Sequence, residues 1–314
     1  MGMARQIVVL GGTGFVGRRL VQRLADAGHA VTVLSRDPAA HANRLLAPGA
    51  ALRRVDVHDA GALRAAFEGA DTVVNLVGIL NEPGDDGRGF HRAHVELAES
   101  VIAACHGAGA RRLLHMSALN AGRGQSHYLA SRGEAEARVK GSGLDWTVFE
   151  PSVIFGVGDG LFTRFAALLR MTPVLPLACP EARFTPVYVG DVVEAMQRTL
   201  DERATFGEVY ELYGPEVFTL YDIVRMTARQ LGLRRYVLPL PPMVSRLQGK
   251  VCDFVPGKPF SSDNWRSLQV DAVGGIDGLH RLGIRSTPVS ERLAEVLGGG
   301  DDRLSRNARF RAMR

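Results

Sequence analysis

The sequence predicts a doubly wound α/β fold, in which a parallel Rossmann sheet carries a smaller, mostly helical C-terminal lobe. Three observations support this prediction. Short apolar segments alternate with helical patterns up to residue 150, a glycine-rich loop follows the first apolar segment, and prolines and aromatic residues become frequent after Pro151. Continuous apolar strands that alternate with helices are typical of a parallel sheet covered on both faces.

The first half of the chain supplies the elements of the sheet. The predicted strands are Gln6–Leu10, Ala30–Leu34, Leu52–Val55, Asp71–Val77, Arg112–Met116 and Asp145–Phe149. The helical patterns between them are Val16–Ala27, Gly61–Phe67, Val95–Gly107 and Tyr128–Lys140. Right-handed crossovers between the parallel strands then place helices on both faces of the sheet.

The second half predicts a separate lobe, with clear helical patterns at Leu220–Leu231 and Pro288–Leu297. A short strand pair around Arg183–Val189 and Val209–Leu212 is expected to return to the first domain. The predicted organisation is a dinucleotide-binding domain over 1–158 with 183–212 returning to it, a substrate or partner lobe over 159–182 and 213–300, and a basic, disordered tail over 301–314.

The composition is ordinary for a soluble globular protein, with 46% hydrophobic and 23% charged residues. Cys105, Cys179 and Cys252 are far apart and predict neither a zinc site nor a disulfide framework, so a reduced, cytoplasmic compartment is expected. Neither a signal peptide nor an apolar run of the ~20 residues that span a bilayer is recognisable. No metal site is predicted, because His91 and His94 stand three residues apart without a third ligand.

The net charge of +5 is unevenly distributed, because residues 301–314 contain five arginines and two aspartates. The remaining chain has no basic face of the kind that binds nucleic acid, so no nucleic-acid partner is expected. The basic tail is either a solvated segment, which is the preferred interpretation, or an arm for an acidic partner or an anionic membrane.

The loop LGGTGFVGRR is the first chemical signal. Gly11, Gly14 and Gly17 form a G-x-x-G-x-x-G pattern directly after the first strand and at the start of the first helix. Glycines there permit a tight turn, a close approach of the backbone to a pyrophosphate and close packing of the helix on the strand. We predict that the pyrophosphate binds at this helix N-terminus, whose other residues are Thr13, Phe15, Val16 and Arg18.

The end of the second strand bears on the choice of dinucleotide. A carboxylate at this position binds the ribose 2′-hydroxyl of NAD, whereas this chain has Ser35 and Arg36, followed by Asp37. The guanidinium of Arg36 has a planar shape that suits a 2′-phosphate, and Arg18 could assist it. The sequence therefore favours NADP(H) over NAD(H), although Arg36 could also be a solvated loop residue.

These motifs resemble the extended and atypical short-chain dehydrogenase/reductase family, which has the epimerase/dehydratase type of Rossmann domain. The resemblance covers roughly residues 5–215 and includes GGTGFVG, NLVG, EPSVIFG and VYVGDVVEAM. NLVGIL, FHRAHVELAE and LLHMSAL are similar to the branch containing the nucleotide-binding accessory subunit of respiratory complex I and its bacterial relatives. The resemblance implies further nucleotide contacts at Asp56, Val57, Leu76, Val77, Gly78, Pro151, Ser152 and Val153.

The family mechanism uses a serine that polarises the substrate oxygen, a tyrosine that transfers a proton, and a lysine that activates the tyrosine and holds the nicotinamide ribose. The resemblance assigns the first two roles to Ser117 and Tyr128, but Arg132 stands where the lysine belongs. Arginine keeps the charge and changes the geometry, because a rigid fork replaces a compact ammonium. Glu150 is a second departure, since many relatives carry arginine there. The resemblance thus implies nucleotide contacts at Ser117, Tyr128 and Arg132 and weak or lost turnover.

Two functions from different classes remain open. One is an NAD(P)H-dependent oxidoreductase that reduces a small apolar carbonyl or a quinone, for which the aromatic stretch Leu161–Leu177 could line a pocket or simply form core. The other is a non-catalytic nucleotide-binding module that supports a respiratory complex or another membrane-associated assembly. The second function would place the protein peripherally at the inner face of the membrane.

Overall fold

The computed structural model describes residues 4–41, 47, 49–256 and 258–298, so the predicted tail 301–314 lies outside the described residues. In the first half, the strands are β1 (Gln6–Leu10), β2 (Ala30–Ser35), β3 (Ala50–Arg54), β4 (Thr72–Asn75), β5 (Arg112–Met116) and β6 (Asp145–Pro151). The helices are α1 (Phe15–Asp26), α2 (Pro38–His41), α3 (Ala60–Phe67), α4 (Arg88–His91), α5 (Leu97–Ala108) and α6 (His127–Lys140).

The second half has shorter strands and more helix. Its strands are β7 (Ile154–Phe155), β8 (Val174–Leu177), β9 (Arg183–Phe184), β10 (Val187–Tyr188), β11 (Glu208–Leu212), β12 (Phe218–Thr219) and β13 (Tyr236–Pro239). Its helices are α7 (Phe162–Met171), α8 (Val189–Arg198), α9 (Leu220–Gln230), α10 (Pro242–Cys252), α11 (Ser262–Ser267), α12 (Gly278–Arg281) and α13 (Val289–Gly298).

The central sheet has seven parallel strands in the order β11-β6-β5-β4-β1-β2-β3. Ile7 of β1 pairs with Val31 of β2 on one side and with Thr72 of β4 on the other. The chain order therefore reverses between β1 and β4, and parallel α/β sheets bind their ligands in the crevice at such a reversal, beyond the carboxyl ends of the strands. The predicted fold class is confirmed.

Each face of the sheet is covered by helices because successive strand residues point to opposite sides. On one face, Val9 of β1 and Phe149 of β6 pack with residues of α1 and α8. On the other face, Val148 of β6 packs with residues of α3, α5 and α6. A third core belongs to the lobe, where α7, α9 and α13 pack together around residues such as Phe162.

The predicted strand pair between 183–189 and 209–212 is wrong. β9 pairs antiparallel with β12, and β10 pairs parallel with β7, so neither strand contacts β11 through a ladder. β11 alone joins the central sheet, where it pairs parallel with β6 at its edge. Strands of two residues contain too little pattern for their partners to be read from sequence, since tertiary contacts decide their pairing.

A π-helical turn, Arg92–Glu96, connects α4 to α5 without a break in the helical path. The turn buries His94, which is 2% exposed, together with Val95. Single π turns inside helices rotate the following residues relative to the ordinary helical repeat and are frequent at functional sites. Among the described residues, no helix is long and apolar enough to cross a membrane.

Candidate functional site

The glycine loop is closed so tightly that side chains are excluded from two of its positions. Gly11 has φ +76°, and a Cβ there would lie 3.0 Å from the carbonyl carbon of Leu76. A Cβ on Gly17 would lie 2.2 Å from the carbonyl oxygen of Gly11. The loop, the start of α1 and the end of β4 are therefore in backbone contact, which brings together predicted site residues from separate parts of the sequence.

The N-terminus of α1 is open. Gly14 is its exposed N-cap residue, and no side chain in the described part of the chain caps the first turn. By contrast, the N-termini of α3, α6 and α9 are capped by the side chains of Asp59, Ser126 and Thr219. Uncapped backbone N–H groups at the positive end of a helix dipole form a site for an anion. The geometry therefore fits a dinucleotide pyrophosphate.

The residues around this N-terminus are half-buried and form the rim of the loop. Thr13, Phe15 and Val16 all belong to this group, and the guanidinium carbon of Arg19 lies 4.7 Å from the centre of the Phe15 ring. Phe15 and Val16 also pack against the core cluster under α1. They support the loop from one side while Gly14 leaves the other side accessible.

Arg36 and Asp37, which follow β2, differ in whether their side chains contact the rest of the protein. Arg36 is exposed and makes no hydrogen bond or ion pair with any residue that the structure describes. The carboxylate of Asp37 accepts a hydrogen bond from the backbone N–H of Ala40 at 3.1 Å, and therefore holds the start of α2. Ser35 is buried, and its hydroxyl accepts a hydrogen bond from the backbone N–H of Asp37.

Arg18 differs from its prediction. Its Nη2 donates a hydrogen bond to the carbonyl oxygen of Val157 at 3.4 Å, and the same nitrogen lies 2.7 Å from the position of a Cβ on Gly158. Arg18 thus contacts the loop after β7 and does not accompany Arg36. The sequence could not show this contact, because it joins residues 139 positions apart.

The other predicted nucleotide contacts lie at the ends of neighbouring strands. Asp56 is exposed after β3 and accepts a hydrogen bond from the backbone N–H of His58, while Val57 packs against the core. Val77 follows β4 and donates its N–H to Asn75 Oδ1 at 3.1 Å. After β6, the Ser152 hydroxyl donates to the carbonyl oxygen of Ala272 at 2.8 Å. Leu76 and Gly78 flank Val77, and Pro151 and Val153 flank Ser152.

Tyr128 lies in the first turn of α6 and is half-buried. Its ring meets Phe90 and His94 in edge-on contacts with centroid separations of 5.9 and 5.7 Å. The guanidinium carbon of Arg132 lies 5.5 Å from the centre of the same ring. The predicted neighbourhood of Tyr128 and Arg132 on one face of α6 is therefore present.

Arg132 is buried and donates hydrogen bonds to backbone carbonyl oxygens at the ends of the sheet strands. Its Nη1 donates to the carbonyl oxygens of Met116, at 3.0 Å, and Val77, at 3.5 Å, so the side chain bridges the ends of β5 and β4. A Cβ on Gly78 would lie 1.9 Å from Arg132 Nη2. Gly78 therefore provides the space for the guanidinium. Among the described residues, no carboxylate forms an ion pair with Arg132.

His94 is a site residue that sequence reasoning missed. Its Nε2 accepts a hydrogen bond from the backbone N–H of Ile79 at 3.3 Å, so Nδ1 carries the proton and donates to Ser131 Oγ at 2.8 Å. Burial, followed by the charge of Arg132, lowers the pKa of His94 to about 2. The imidazole is thus neutral and packs beside Tyr128. The FHRAH segment shows the histidine in the sequence, but it does not reveal the π-helical turn that buries His94.

His115, on β5, is a second buried histidine near Arg132. Burial and then the charge of Arg132 lower its pKa to about 3, so this imidazole is also neutral. Its Nδ1 lies 3.4 Å from the side-chain nitrogen of Asn75. Arg132 is therefore a buried cation surrounded by carbonyl oxygens and two neutral imidazoles, where no anion offsets its charge.

Ser117, for which the resemblance implies a role in polarising the substrate, contacts a carboxylate in this structure. It is 3% exposed, and its hydroxyl donates to Glu136 Oε2 at 2.8 Å. No hydrogen bond joins Ser117 to Tyr128 in the described part of the chain. The alternation along β5 puts Leu113 and Ser117 on the face covered by α6, where Glu136 of that helix accepts the Ser117 hydroxyl.

Ser117 belongs instead to a buried carboxyl cluster formed with Glu136 and Glu150. Burial, followed by the charge of Glu136, raises the pKa of Glu150 to about 8. Lys140 forms an ion pair with Glu136 and supplies the positive charge of the cluster. Glu150, the residue that departs from the family pattern, therefore shares a site with the predicted catalytic serine.

Comparisons with known proteins identify the first half of the chain as a nucleotide-binding domain. The model of a family described as NAD(P)H-binding matches residues 11–158. The "NADH dehydrogenase [ubiquinone] 1 alpha subcomplex subunit 9, mitochondrial" of Arabidopsis thaliana is 28% identical over 278 residues, which cover 85% of this chain and 68% of that protein.

A bacterial reductase and a solved structure extend the comparison. The "(4-alkanoyl-5-oxo-2,5-dihydrofuran-3-yl)methyl phosphate reductase" of Streptomyces griseus is 31% identical over 235 residues, which cover 72% of this chain and 74% of that protein. The structure of a UDP-glucose 4-epimerase from Thermotoga maritima superimposes with a TM-score of 0.76 over 94% of this chain and 98% of its own, at 15% identity, and shows the shared fold. The chain therefore belongs to the NAD(P)-binding, epimerase/dehydratase-like oxidoreductase family that includes complex I alpha subcomplex subunit 9 and bacterial reductases.

Proposed function

We propose that this protein binds NADP(H) and acts as a slow NAD(P)H-dependent oxidoreductase on an apolar carbonyl or quinone-like substrate. One observation carries the choice of nucleotide: Arg36 is exposed and unpaired among the described residues, whereas the neighbouring carboxylate of Asp37 holds the start of α2. A guanidinium at this position suits a 2′-phosphate, and an engaged carboxylate is less available to a ribose hydroxyl.

Titration calorimetry with NADPH and NADH tests the nucleotide preference. We expect NADPH to bind at least tenfold more tightly than NADH, which corresponds to about 1.4 kcal/mol. Equal affinities, or a preference for NADH, would show that Arg36 is a solvated loop residue.

The chemical proposal assigns proton transfer to Tyr128. Its ring contacts Phe90, His94 and Arg132 at the start of α6. When bound, NADPH supplies a hydride. In this proposal Tyr128 gives a proton to the substrate oxygen, and Arg132 holds the ends of β4 and β5 together beside it.

The nature of the substrate is proposed from the loop after Gly78 and from the bacterial relative. Leu80 is 67% exposed in the loop that follows Gly78, and Ile79 of the same loop donates to His94 beside Tyr128. The name of the Streptomyces griseus reductase specifies a substrate with an alkanoyl group. In the stretch Leu161–Leu177, Phe162 is fully buried in the lobe core against Phe155, which agrees with the interpretation of that stretch as core.

A second function, that of a nucleotide-binding module without turnover, is favoured by the engagement of Ser117 and Arg132. Ser117 donates to Glu136, and Arg132 donates to the carbonyl oxygens of Met116 and Val77, so Tyr128 has neither of its family partners in the expected role. In this alternative the protein supports a respiratory complex, as the name of the Arabidopsis thaliana relative suggests, and associates peripherally with the inner face of the membrane.

A panel of apolar aldehydes, ketones and quinones separates the two functions. NADPH oxidation that depends on Tyr128 supports the oxidoreductase. Tight NADPH binding with no oxidation across the panel supports the module.

A further inference from the structure

Helix α10 is oriented with its apolar side toward solvent. Met243, Leu247 and Val251 follow one another at intervals of four residues, and are 85%, 59% and 58% exposed. Phe254, in the turn after the helix, is 90% exposed. Residues four apart lie on one face of a helix, so these side chains form a continuous outward stripe. An ordinary surface helix places such a stripe against the core.

The inward side of α10 is small and polar, and its contacts fix the helix in this orientation. Ser245 is 1% exposed, and its hydroxyl accepts a hydrogen bond from the N–H of Cys179 and donates one to the carbonyl oxygen of Leu240. A Cβ on Gly249 would lie 3.2 Å from the carbonyl oxygen of Ser261. Rotation of the helix to bury Leu247 would break these contacts and force a large side chain into the space above Gly249.

Further exposed apolar side chains lie on the elements that precede the helix. Immediately before α10, Tyr236 and Leu238 of β13 are 62% and 39% exposed. β13 pairs with β8, whose Val174 is the partner of Tyr236 and is 43% exposed, and Met171 just before β8 is 83% exposed. An exposed apolar stripe such as that of α10 is uncommon on soluble monomers and marks an interaction site. We define the α10 surface as the exposed apolar side chains of residues 171–174, 236–238 and 243–255.

The charge around the α10 surface is one-sided. Residues 234–260 contain three arginines and two lysines, against a single acidic residue, Asp253. The carboxylate of Asp253 accepts the N–H of Ser262, so it is turned to α11. Lys250 is exposed on α10 itself. An apolar stripe bordered by basic residues is the pattern of helices that lie in the headgroup region of anionic membranes.

We propose that the α10 surface docks on an anionic phospholipid bilayer, with α10 parallel to the membrane plane and Leu247 and Phe254 inserted among the acyl chains. This inference rests on the membrane association included in the second proposed function, that of a nucleotide-binding module, and names the surface that produces it. It is independent of nucleotide binding and of turnover. Anionic lipid fits the surface better than a second copy of the chain does, because two copies would bring two basic regions together.

Vesicle flotation tests the proposal on the full-length protein. The vesicles consist of phosphatidylcholine alone or of phosphatidylcholine with about 30% phosphatidylglycerol, at low and high ionic strength. The test variant is Leu247→Ser with Phe254→Ser, and the matched control is Val217→Ser with Ile276→Ser, which removes two other exposed apolar side chains. Lys250→Gln examines the charge.

We expect the native protein to float with the anionic vesicles and not with the neutral ones. The fraction bound should fall at least fivefold in the Leu247/Phe254 variant, fall partly in Lys250→Gln and remain unchanged in the Val217/Ile276 control. NADPH binding should be the same in all four proteins, which separates this test from a failure of the proposed function.

Three results would overturn the proposal. Failure of the native protein to bind either type of vesicle at low salt would exclude docking on a bilayer. Binding that persists in the Leu247/Phe254 variant would assign lipid contact to another basic region of the chain. A native dimer that the Leu247/Phe254 variant converts to monomers in light scattering, without vesicle binding, would make the α10 surface an interface between copies.

Discussion

Helices α1 and α6 both begin at the carboxyl edge of the sheet, and their N-termini differ in how they are completed. α1 starts at Gly14 without a side-chain cap. α6 starts at Ser126, whose hydroxyl accepts the N–H of Leu129 at 3.0 Å. In addition, Asp263 of α11 accepts the N–H groups of His127, at 2.7 Å, and Tyr128, at 3.1 Å. One helix start is left open to an external anion, and the other is closed by the protein.

This difference shows that nucleotide binding and proton transfer have separate structural requirements in this fold. The α1 side needs only backbone, and the glycines keep that backbone accessible. The α6 side needs side chains with unused polar groups, yet Ser117 and Arg132 have both been recruited to internal contacts. A chain can therefore retain nucleotide binding while its proton-transfer group loses its partners.

The largest expected effect lies at α1. Gly14→Val should lower NADPH affinity roughly 100-fold or more, because the side chain would occupy the approach to the open helix N-terminus. The fold should persist, since Gly14 has φ −77° and its added Cβ would meet only the Gly11 oxygen at 3.2 Å. Calorimetry and a thermal melt measure the two effects.

Gly17→Val is the matched control for that experiment. Its Cβ would lie 2.2 Å from the Gly11 oxygen, so this variant should lose folding rather than binding alone. NADPH affinity that survives in a folded Gly14→Val protein would place the phosphate site elsewhere.

The second effect concerns α6. If the native protein oxidises NADPH with a carbonyl or quinone, Tyr128→Phe should reduce the rate roughly 100-fold, which is the usual contribution of a general acid, and leave the Kd for NADPH nearly unchanged. Tyr221→Phe on α9 is the matched control, because Arg225 lies 5.6 Å from the Tyr221 ring in a similar pairing. A rate that Tyr128→Phe leaves intact would assign the chemistry to other residues.

The third effect sharpens the description of the α1 side. Arg36→Ala should weaken NADPH binding by about 1.5–3 kcal/mol, as expected for a charge-assisted hydrogen bond, with little change for NADH. Arg111→Ala removes an exposed arginine ahead of β5, at the opposite edge of the sheet, and should change neither affinity. A parallel loss for NADH and NADPH in Arg36→Ala would argue against contact with a 2′-phosphate.

The smallest effect tests the carboxyl cluster behind α6. The folded protein holds the proton of Glu150 up to about pH 8, whereas the unfolded chain releases it near its ordinary pKa of 4.5. Because the pKa of an acid is raised by folding, this group lowers the free energy of unfolding as pH rises from about 4.5 to 8.

Glu150→Gln should remove that dependence. The variant should gain about 1–2 kcal/mol over the native protein at pH 8–9, after allowance for solvent screening, and nothing near pH 5. Urea titrations across this range measure the gain, with the exposed Glu216→Gln as control. A gain that is the same at pH 5 and pH 9 would show that Glu150 does not hold its proton.

Much of the fold was predictable from sequence, and the reasons are local. β1 and β5 begin and end where the sequence predicts, because each contains a run of buried apolar residues, Ile7–Leu10 and Leu113–Leu114, directly beside a loop. Helix α10 escaped prediction because its apolar pattern faces solvent and its buried residues are Ser245 and Gly249. Nothing in a sequence says which face of a helix the core will accept.

The candidate site likewise has features that the sequence predicts and features that it does not. The contacts of Gly11 and Gly17 follow from the motif, because steric exclusion depends on the backbone alone. The direction of the Ser117 side chain was predictable from the sequence, since alternation along β5 puts Ser117 on the same face of the sheet as Leu113. The inward position of His94 was not, because a π turn shifts the helical repeat on which any reading of the face depends.

The bonds from Asp263 to α6 have a consequence for the modularity of the chain. The side chain that completes the start of the Tyr128 helix is contributed by the lobe, more than 130 residues later. A chain that ended near residue 215 would keep all seven strands of the sheet and would leave two N–H groups of α6 bare. We therefore expect the lobe and the Rossmann half to unfold in a single cooperative transition, although the sequence suggests a domain boundary between them.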